Sequence, residues 1–192
     1  MDIKEVIFER RSIRKYKDET ITDDKLKKIV EAAVYAPSAT NLQPWYFVVI
    51  KSEIEMEKLR KAMNRTATQL QPQLEKRFQN HPDVAKETLR FIDNLGGAPA
   101  CILVFEYRKE YETLQTTITQ SIAAAIQNLL LAAWDEGIGS CWLTAPLEVD
   151  VDEEIHKTFA LDKGKMVALI SLGYPEKISK TPKRKEGRYI FL

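Results

Sequence analysis

One segment of this sequence constrains the possible folds more than any other. Residues 115–136 have a helical pattern, and the central part of this predicted helix is apolar on nearly every face. A helix that is apolar all round is buried all round. Because 192 residues make only a small domain, we expect this helix to lie in a subunit interface as well as in a core. The apolar stretch 122–134 is shorter than a membrane span and contains Gln127 and Asn128, which favours a buried helix.

The rest of the pattern predicts further helices and short buried strands in an irregular order. Helical patterns cover residues 2–11, 23–36, 53–63 and 150–159. Apolar runs that predict strands cover residues 46–50, 101–105, 140–144 and 166–172. Residues 66–95 are predicted to be helical with an interruption near His81-Pro82, and we expect them to form a mobile cover. The irregular alternation favours an α+β sandwich, and the lack of a linker favours a single domain over 1–192.

The charge balance and the cysteine content exclude several classes of protein. Lys and Arg number 29 and Asp and Glu number 28, so the net charge of +1 argues against nucleic acid as the main partner. Cys101 and Cys141 lack metal-binding spacing, and with His81 and His156 they form no recognisable zinc site, so no metal is expected. We expect reduced structural thiols and, because no signal peptide is recognisable, a cytoplasmic protein.

Two basic clusters lie near opposite ends of the chain, over residues 10–17 and 177–188. Either cluster alone is typical of a solvated surface. Arginine, however, binds phosphate bidentately through its planar guanidinium group, and Ser12 adds a hydroxyl beside the first cluster. If the fold brings the clusters together, they form a positive pocket that suits a phosphorylated cofactor.

Two loops carry further candidate binding groups. Residues 37–45 are rich in Ser, Thr and Asn between two prolines, which predicts either helix capping and turns or a rigid loop that orients a ligand. Residues 137–146 begin with Gly137 and Gly139, but they follow a helix and enter a strand, which is the reverse of a dinucleotide fingerprint. No nucleophile, triad or carboxylate pair is recognisable, so we expect any chemistry to come from a cofactor.

In their order along the chain, these segments resemble the FMN-dependent nitroreductase family. The resemblance rests on Arg10-Arg11-Ser12-Ile13-Arg14, on residues 36–45, on residues 127–133 with 137–142, and on Leu172-Gly173-Tyr174-Pro175 with the basic tail. It implies an α+β sandwich with a central mixed sheet flanked by helices. It also implies a homodimer with two FMN sites at the subunit interface, where the long central helix packs against its mate.

The resemblance assigns roles to residues by position. Arg10, Ser12 and one or more of Lys183, Arg184 and Lys185 would hold the FMN phosphate, with Arg11 nearby, and Arg14 would face the ribityl and pyrimidine side. The partner subunit would contribute its copies of Pro37, Ser38, Ala39 and Asn41. The isoalloxazine face would be lined by Trp142, Leu143, Thr144 and Ala145. No side chain is expected to be catalytic in its own right, because the flavin carries the chemistry.

The implied activity is an NAD(P)H-dependent flavin oxidoreductase that reduces nitroaromatic, quinone or similar flat electrophilic acceptors by a ping-pong hydride mechanism. NADH and NADPH both remain possible as the electron donor. The alternative is a non-catalytic protein that binds FMN or another nucleotide through the same residues. A nucleic-acid binder built on the basic ends is disfavoured by the near-zero net charge.

Overall fold

A four-stranded sheet with helices on both faces organises the chain, of which the computed structural model describes residues 2–192. The helices are α1 (Ile3–Glu9), α2 (Asp23–Val34), α3 (Glu53–Arg77), α4 (Pro82–Asn94), α5 (Gln115–Asp135) and α6 (Asp152–Phe159). The strands are β1 (Trp45–Ile50), β2 (Ala100–Glu106), β3 (Gly139–Leu143) and β4 (Met166–Gly173). Short 3-10 turns cover Ala39–Asn41, Leu95–Gly97 and Ala145–Glu148. The predicted α+β class and the predicted strands are confirmed.

The strand order is β1-β2-β4-β3, and every neighbouring pair is antiparallel. Parallel pairing within residues 2–192 is confined to one isolated bridge between Ser12 and Ser140. We expected a sheet with both parallel and antiparallel strand pairs, and the parallel part amounts to that single bridge. The reason is local, because the chain after α1 runs beside the edge strand β3 only briefly before Tyr16 makes an antiparallel bridge to Pro175.

The two central strands separate two apolar cores. Along β2, Cys101, Leu103 and Phe105 face one core, whereas Ile102 and Val104 face the other, as the two-residue period of a strand requires. The first core is completed by α3, α4 and α6, and the second by α2 and α5. Both faces of β2 are thus buried, which explains its continuous apolar sequence.

Helix α3 is much longer than predicted. It runs for 25 residues through Pro72, whereas the sequence pattern predicted its first eleven residues and a separate helical segment beyond them. A proline inside a helix removes one backbone hydrogen bond. Burial of Ala67, Leu70 and Leu74 on the same face offsets this loss and continues the helix. The interruption near His81 is confirmed, since Pro82 begins α4 at a first-turn position where its missing N–H does no harm.

Helix α5 is fully buried on one side only. Ile118, Ile122 and Ile126 have no exposed surface, but Ala124 and Leu131 are half-buried within a single chain. The all-round burial that the sequence predicts is therefore incomplete in one subunit. The partly exposed apolar side is available for contact with another molecule.

The stability of the sheet–helix core can be tested at Ile122, whose side chain is 0% exposed. We expect Ile122→Ala to lower the free energy of unfolding by about 2–5 kcal/mol, because it leaves a cavity in the core. Urea denaturation measures the loss. Ile54→Ala is the matched control, because Ile54 is 73% exposed on α3 and its truncation should change stability by less than about 0.5 kcal/mol. Equal losses in the two variants would contradict this account of the core.

Candidate functional site

The fold brings the two basic segments together, and Arg11 joins them. Its Nη1 donates to the carbonyl oxygens of Phe8 and Arg10, at 2.7 and 2.6 Å. Its Nη2 donates to the hydroxyl of Thr181 in the C-terminal tail. The side chain is only 8% exposed, so these bonds tie the chain after α1 to the tail from inside the protein. Arg11 thus holds the two segments together, and its buried Nε is left without a hydrogen-bond partner among the described residues.

Arg10 lies in a cluster of cations without a counter-charge. Its pKa is lowered first by burial and then by the positive charges of Arg11 and Arg184. Within residues 2–192, no carboxylate forms an ion pair with any of these three side chains. Desolvated cations that repel one another are stabilised by a bound anion, and a phosphate group matches the fork of a guanidinium. The cluster therefore has the properties of an anion site.

The three candidate cations of the tail are all exposed to solvent. Of Lys183, Arg184 and Lys185, it is Arg184 whose charge lowers the pKa of Arg10, and which of the three holds a phosphate stays a prediction. The tail has no helical or strand periodicity from which this difference could have been predicted.

Ser12 lies beside an unsatisfied hydroxyl that the sequence analysis did not single out. The N–H of Ile13 donates to the carbonyl of Ser140 at 2.9 Å, which sets the Ser12–Ser140 bridge. The side chain of Ser140 is 0% exposed, and its hydroxyl has no hydrogen-bond partner among the described residues. An unpaired buried hydroxyl is costly, so this group fits a polar ligand that supplies the missing partner. Its sequence signal, one serine inside a strand, is too common to single out.

Two glycines hold the loop after α1 in place. A Cβ at Gly96 would lie 2.3 Å from the carbonyl oxygen of Arg14, and the φ of Gly96 is +67°. A Cβ at Gly139 would lie 2.6 Å from the side chain of Ile13. The N–H of Tyr16 also donates to the carbonyl of Gly96 at 3.1 Å. The backbone of this loop therefore lies directly against two positions where only glycine fits.

Arg14 and Ala145, which come from two of the predicted segments, line the same cleft. The cleft has a volume of about 640 Å³, and its remaining walls come mainly from α3 and α4. The guanidinium of Arg14 lies 5.9 Å from the centre of the Phe91 ring, a cation–π arrangement that limits its movement. Parts of residues 66–95 thus form walls of this cleft, while their role as a mobile cover stays a prediction.

The other predicted residues of the β3 end differ in their accessibility. Trp142 is 37% exposed and Thr144 is also exposed, so both can reach a ligand. The side chain of Leu143 is 6% exposed and belongs to the core on the α3–α4 side. Leu143 can therefore face a ligand only through its backbone.

The loop 37–44 lines a different cleft from the one that contains Arg14. This second cleft, of about 530 Å³, contains Asn41 together with aromatic side chains such as Trp45 and Tyr111. Pro37 is exposed, and Ser38 accepts a hydrogen bond from the N–H of Gln43 at 3.0 Å. The N–H of Ala39 donates to the hydroxyl of Ser121 on α5 at 3.3 Å.

Neither cysteine is available for nucleophilic chemistry. Burial raises the pKa of the Cys101 thiol to about 12. Burial also raises the pKa of Cys141, although the positive charges of Arg14 and Arg10 partly oppose the increase. Among residues 2–192, no group of three or more His, Cys, Asp or Glu side chains could hold a metal ion. The same range contains no helix with both the length and the apolar character to span a membrane.

Comparison with known proteins identifies the family. The profile of the nitroreductase family matches residues 7–174. The Bacillus subtilis protein YfhC, provisionally named an NAD(P)H nitroreductase, is 32% identical over 184 residues, which cover 95% of this chain and 89% of YfhC. The chain therefore belongs to the nitroreductase family.

Two solved structures resemble the whole fold. A BluB-like flavoprotein from Clostridium difficile is 29% identical with a TM-score of 0.74, covering 100% of this chain and 99% of its own. A Desulfovibrio desulfuricans protein, provisionally named a nitroreductase and solved with FMN, is 26% identical with a TM-score of 0.74, covering 97% of this chain and 93% of its own.

The close approach at Gly96 generates a testable prediction with an internal control. Gly96→Ala and Gly97→Ala both place an alanine at positive φ, of 67° and 74°, which costs about 1 kcal/mol. Only Gly96→Ala also forces a methyl group against Arg14, because no atom lies within 4 Å of a Cβ at Gly97. We expect Gly96→Ala to lose about 1–3 kcal/mol more stability than Gly97→Ala in urea denaturation. Equal losses would mean that the loop after α1 does not depend on this contact.

Proposed function

We propose that this protein is an FMN-dependent oxidoreductase that uses NADH or NADPH to reduce flat electrophilic acceptors such as nitroaromatics and quinones. The observation that carries the proposal is the uncompensated cluster of Arg10, Arg11 and Arg184 beside the loop that leads into the Arg14 cleft. Membership of the nitroreductase family supports it, as does the FMN bound to the D. desulfuricans protein. On this proposal, residues 1–192 form one nitroreductase-like domain.

The described residues fit FMN in type and in place. Arg10, Ser12 and Arg184 would hold the phosphate, and the unpaired hydroxyl of Ser140 lies on the strand next to Ser12. Arg14 would face the pyrimidine side from its position over Phe91. When bound, FMN supplies reversible two-electron redox chemistry, which none of the described side chains provides.

The protein contributes binding, orientation and electrostatics. With FMN bound, a fixed cation at Arg14 would stabilise negative charge on the pyrimidine side without rearrangement of the protein. Backbone N–H groups of Thr144 or Ala145 would orient the opposite edge of the ring. The electron donor and the acceptor would occupy the Arg14 cleft in turn, which gives ping-pong kinetics without an obligatory acid or base from the protein.

Exposed apolar surface supports a homodimer. On α1, Ile3, Ile7 and Phe8 are 50–69% exposed, and the partly exposed side of α5 is also apolar. The tail adds Ile190 and Phe191, which are 78% and 91% exposed. Exposed apolar side chains grouped on one helix support an interaction site. In the proposed dimer, the copies of Pro37, Ser38, Ala39 and Asn41 of the partner subunit would complete each FMN site. The free, buried cysteines are compatible with the cytoplasm.

Flavin binding is the first test. We expect the purified protein to bind FMN and to oxidise NADH or NADPH when a quinone or nitroaromatic acceptor is present. Arg10→Gln should raise the Kd for FMN by about 10- to 100-fold, since hydrogen bonds to charged groups contribute about 1.5–3 kcal/mol each. Titration followed by flavin absorbance measures the change.

The control for this test is Arg60→Gln, because Arg60 is paired with Glu53 on the surface of α3, and its Kd should stay unchanged. Failure of the wild-type protein to bind FMN would overturn the proposal. Binding of FMN without NAD(P)H oxidation, whatever the acceptor, would instead support the non-catalytic alternative.

The oligomeric state is a separate test. We expect a solution mass of about twice 22.1 kDa by light scattering. Phe8→Glu should shift the protein towards the monomer, because it places a charge on the exposed apolar face of α1. Ile54→Glu, at a similarly exposed isoleucine on α3, should leave the mass unchanged. A wild-type protein that is monomeric at micromolar concentration would contradict the proposed interface.

A further inference from the structure

The Arg14 cleft contains more positive charge than the proposed cofactor uses. Its walls carry four cationic side chains and two carboxylates: Arg14, Lys15, Arg77 and Arg90 against Glu87 and Glu148. In the proposed function the FMN phosphate is held by Arg10 and Arg184, outside this cleft, and Arg14 serves the pyrimidine side. Arg77 and Arg90, which come from α3 and α4, therefore have no role in binding the cofactor.

These cleft cations lack the partners that neighbouring cations have. Outside the cleft, three cations of α3 are paired with carboxylates: Lys58 with Glu55, Arg60 with Glu53, and Arg65 with Glu154. Within residues 2–192, neither Arg77 nor Arg90 forms an ion pair, and the same holds for Lys15. Unpaired charge is not confined to the cleft, since Lys61 and Lys76 of α3 also lack an ion pair among the described residues, but within the cleft the cations outnumber the carboxylates.

The cations stand among apolar and aromatic walls. The guanidinium of Arg77 lies 5.6 Å from the centre of the Phe78 ring, much as Arg14 lies over Phe91. The remaining apolar walls are Leu70, Leu74, Val84 and Ile92. Apolar walls suit a flat organic ring, and guanidinium groups over aromatic rings suit a carboxylate, sulfonate or phosphate on that ring. Arg77 and Arg90 are exposed to solvent, and a neutral ring would not use the excess of cations over carboxylates in the cleft.

We propose that Arg77 and Arg90 bind an anionic group of the redox substrates, so that the cleft prefers flat molecules carrying a carboxylate, sulfonate or phosphate over neutral ones of the same shape. This inference rests on the proposed function and names its substrate class. The anionic group has two possible sources. It belongs either to the electron acceptor or to the 2′-phosphate that distinguishes NADPH from NADH, and the experiment separates them.

The first measurement is equilibrium binding, which needs no turnover. Calorimetric titration of the FMN-loaded protein should show 4-nitrobenzoate binding at least 10-fold tighter than 4-nitrobenzamide, its neutral counterpart. In Arg77→Gln/Arg90→Gln the preference should fall below about 3-fold, with the affinity for the amide unchanged. Arg77→Lys should retain part of the preference, because it keeps the charge and loses the fork. Raising the salt concentration should weaken only the binding of the acid.

The second measurement compares the two electron donors. If the phosphate of NADPH is the bound group, kcat/KM should favour NADPH over NADH at least 10-fold, and the double variant should lose this preference. Arg65→Gln is the matched control, because Arg65 lies on α3 outside the cleft and is paired with Glu154. Its preferences should equal those of the wild type, and its unfolding curve and that of the double variant should overlay.

A preference in either pair of ligands that disappears in the double variant supports the inference. The inference is overturned if the wild-type protein binds 4-nitrobenzoate and 4-nitrobenzamide with equal affinity and also has equal kcat/KM for NADPH and NADH. It is likewise overturned if a preference survives in the double variant. Failure of the proposed function is recognised separately, because a protein that binds no FMN can still be titrated with the two nitro compounds. In that case the relative affinities for the acid and the amide decide the inference by themselves.

Discussion

The arrangement of the candidate site depends on one buried guanidinium group. Arg11 donates to the backbone at the end of α1 and to Thr181 in the tail, and so it connects two parts of the chain that are 170 positions apart. A buried cation has to find its hydrogen-bond acceptors inside the protein, so these contacts fix the backbone on both sides of Arg11. Arg10 and Ser12 are its direct neighbours in the sequence, and Arg184 lies three residues after Thr181. The positive cluster is thus a consequence of this connection.

The sequence predicted those elements whose pattern is set by burial alone. Strands β2 and β4 are recognisable because burial on both sides leaves continuous apolar runs, and β1, β3 and α5 are recognisable because apolar residues dominate them although one side is partly exposed. The full length of α3 could not be predicted, because Pro72 interrupts its pattern and only tertiary contacts of Leu70 and Leu74 continue it. The antiparallel sheet order was equally hidden, since strand pairing depends on long-range packing that no local pattern encodes.

The sequence predicted which types of residue form the site better than it predicted which individual residues do. The basic ends and the family's ordered motifs identified Arg10, Ser12 and Arg14 as candidates, whereas the nearness of Arg184 to Arg10 could be seen only in the coordinates. Ser140 was missed because an unsatisfied hydroxyl is a property of its surroundings. Arg77 and Arg90 were missed because a charged residue on an amphipathic helix is usually solvated, and only the structure reveals that both line a cleft.

The loop before β1 has an unusual backbone with a consequence for assembly. Thr40, Asn41 and Gln43 adopt left-handed conformations, with φ of 48°, 57° and 47°, although none of them is glycine. Such conformations persist only where the surroundings impose them, and here Ser38 and Ser121 supply hydrogen bonds that do so. The entropy of ordering this loop is therefore lost during folding of the single chain. Because the loop is already ordered before any partner binds, association with it does not have to supply this ordering entropy and is correspondingly stronger and more selective.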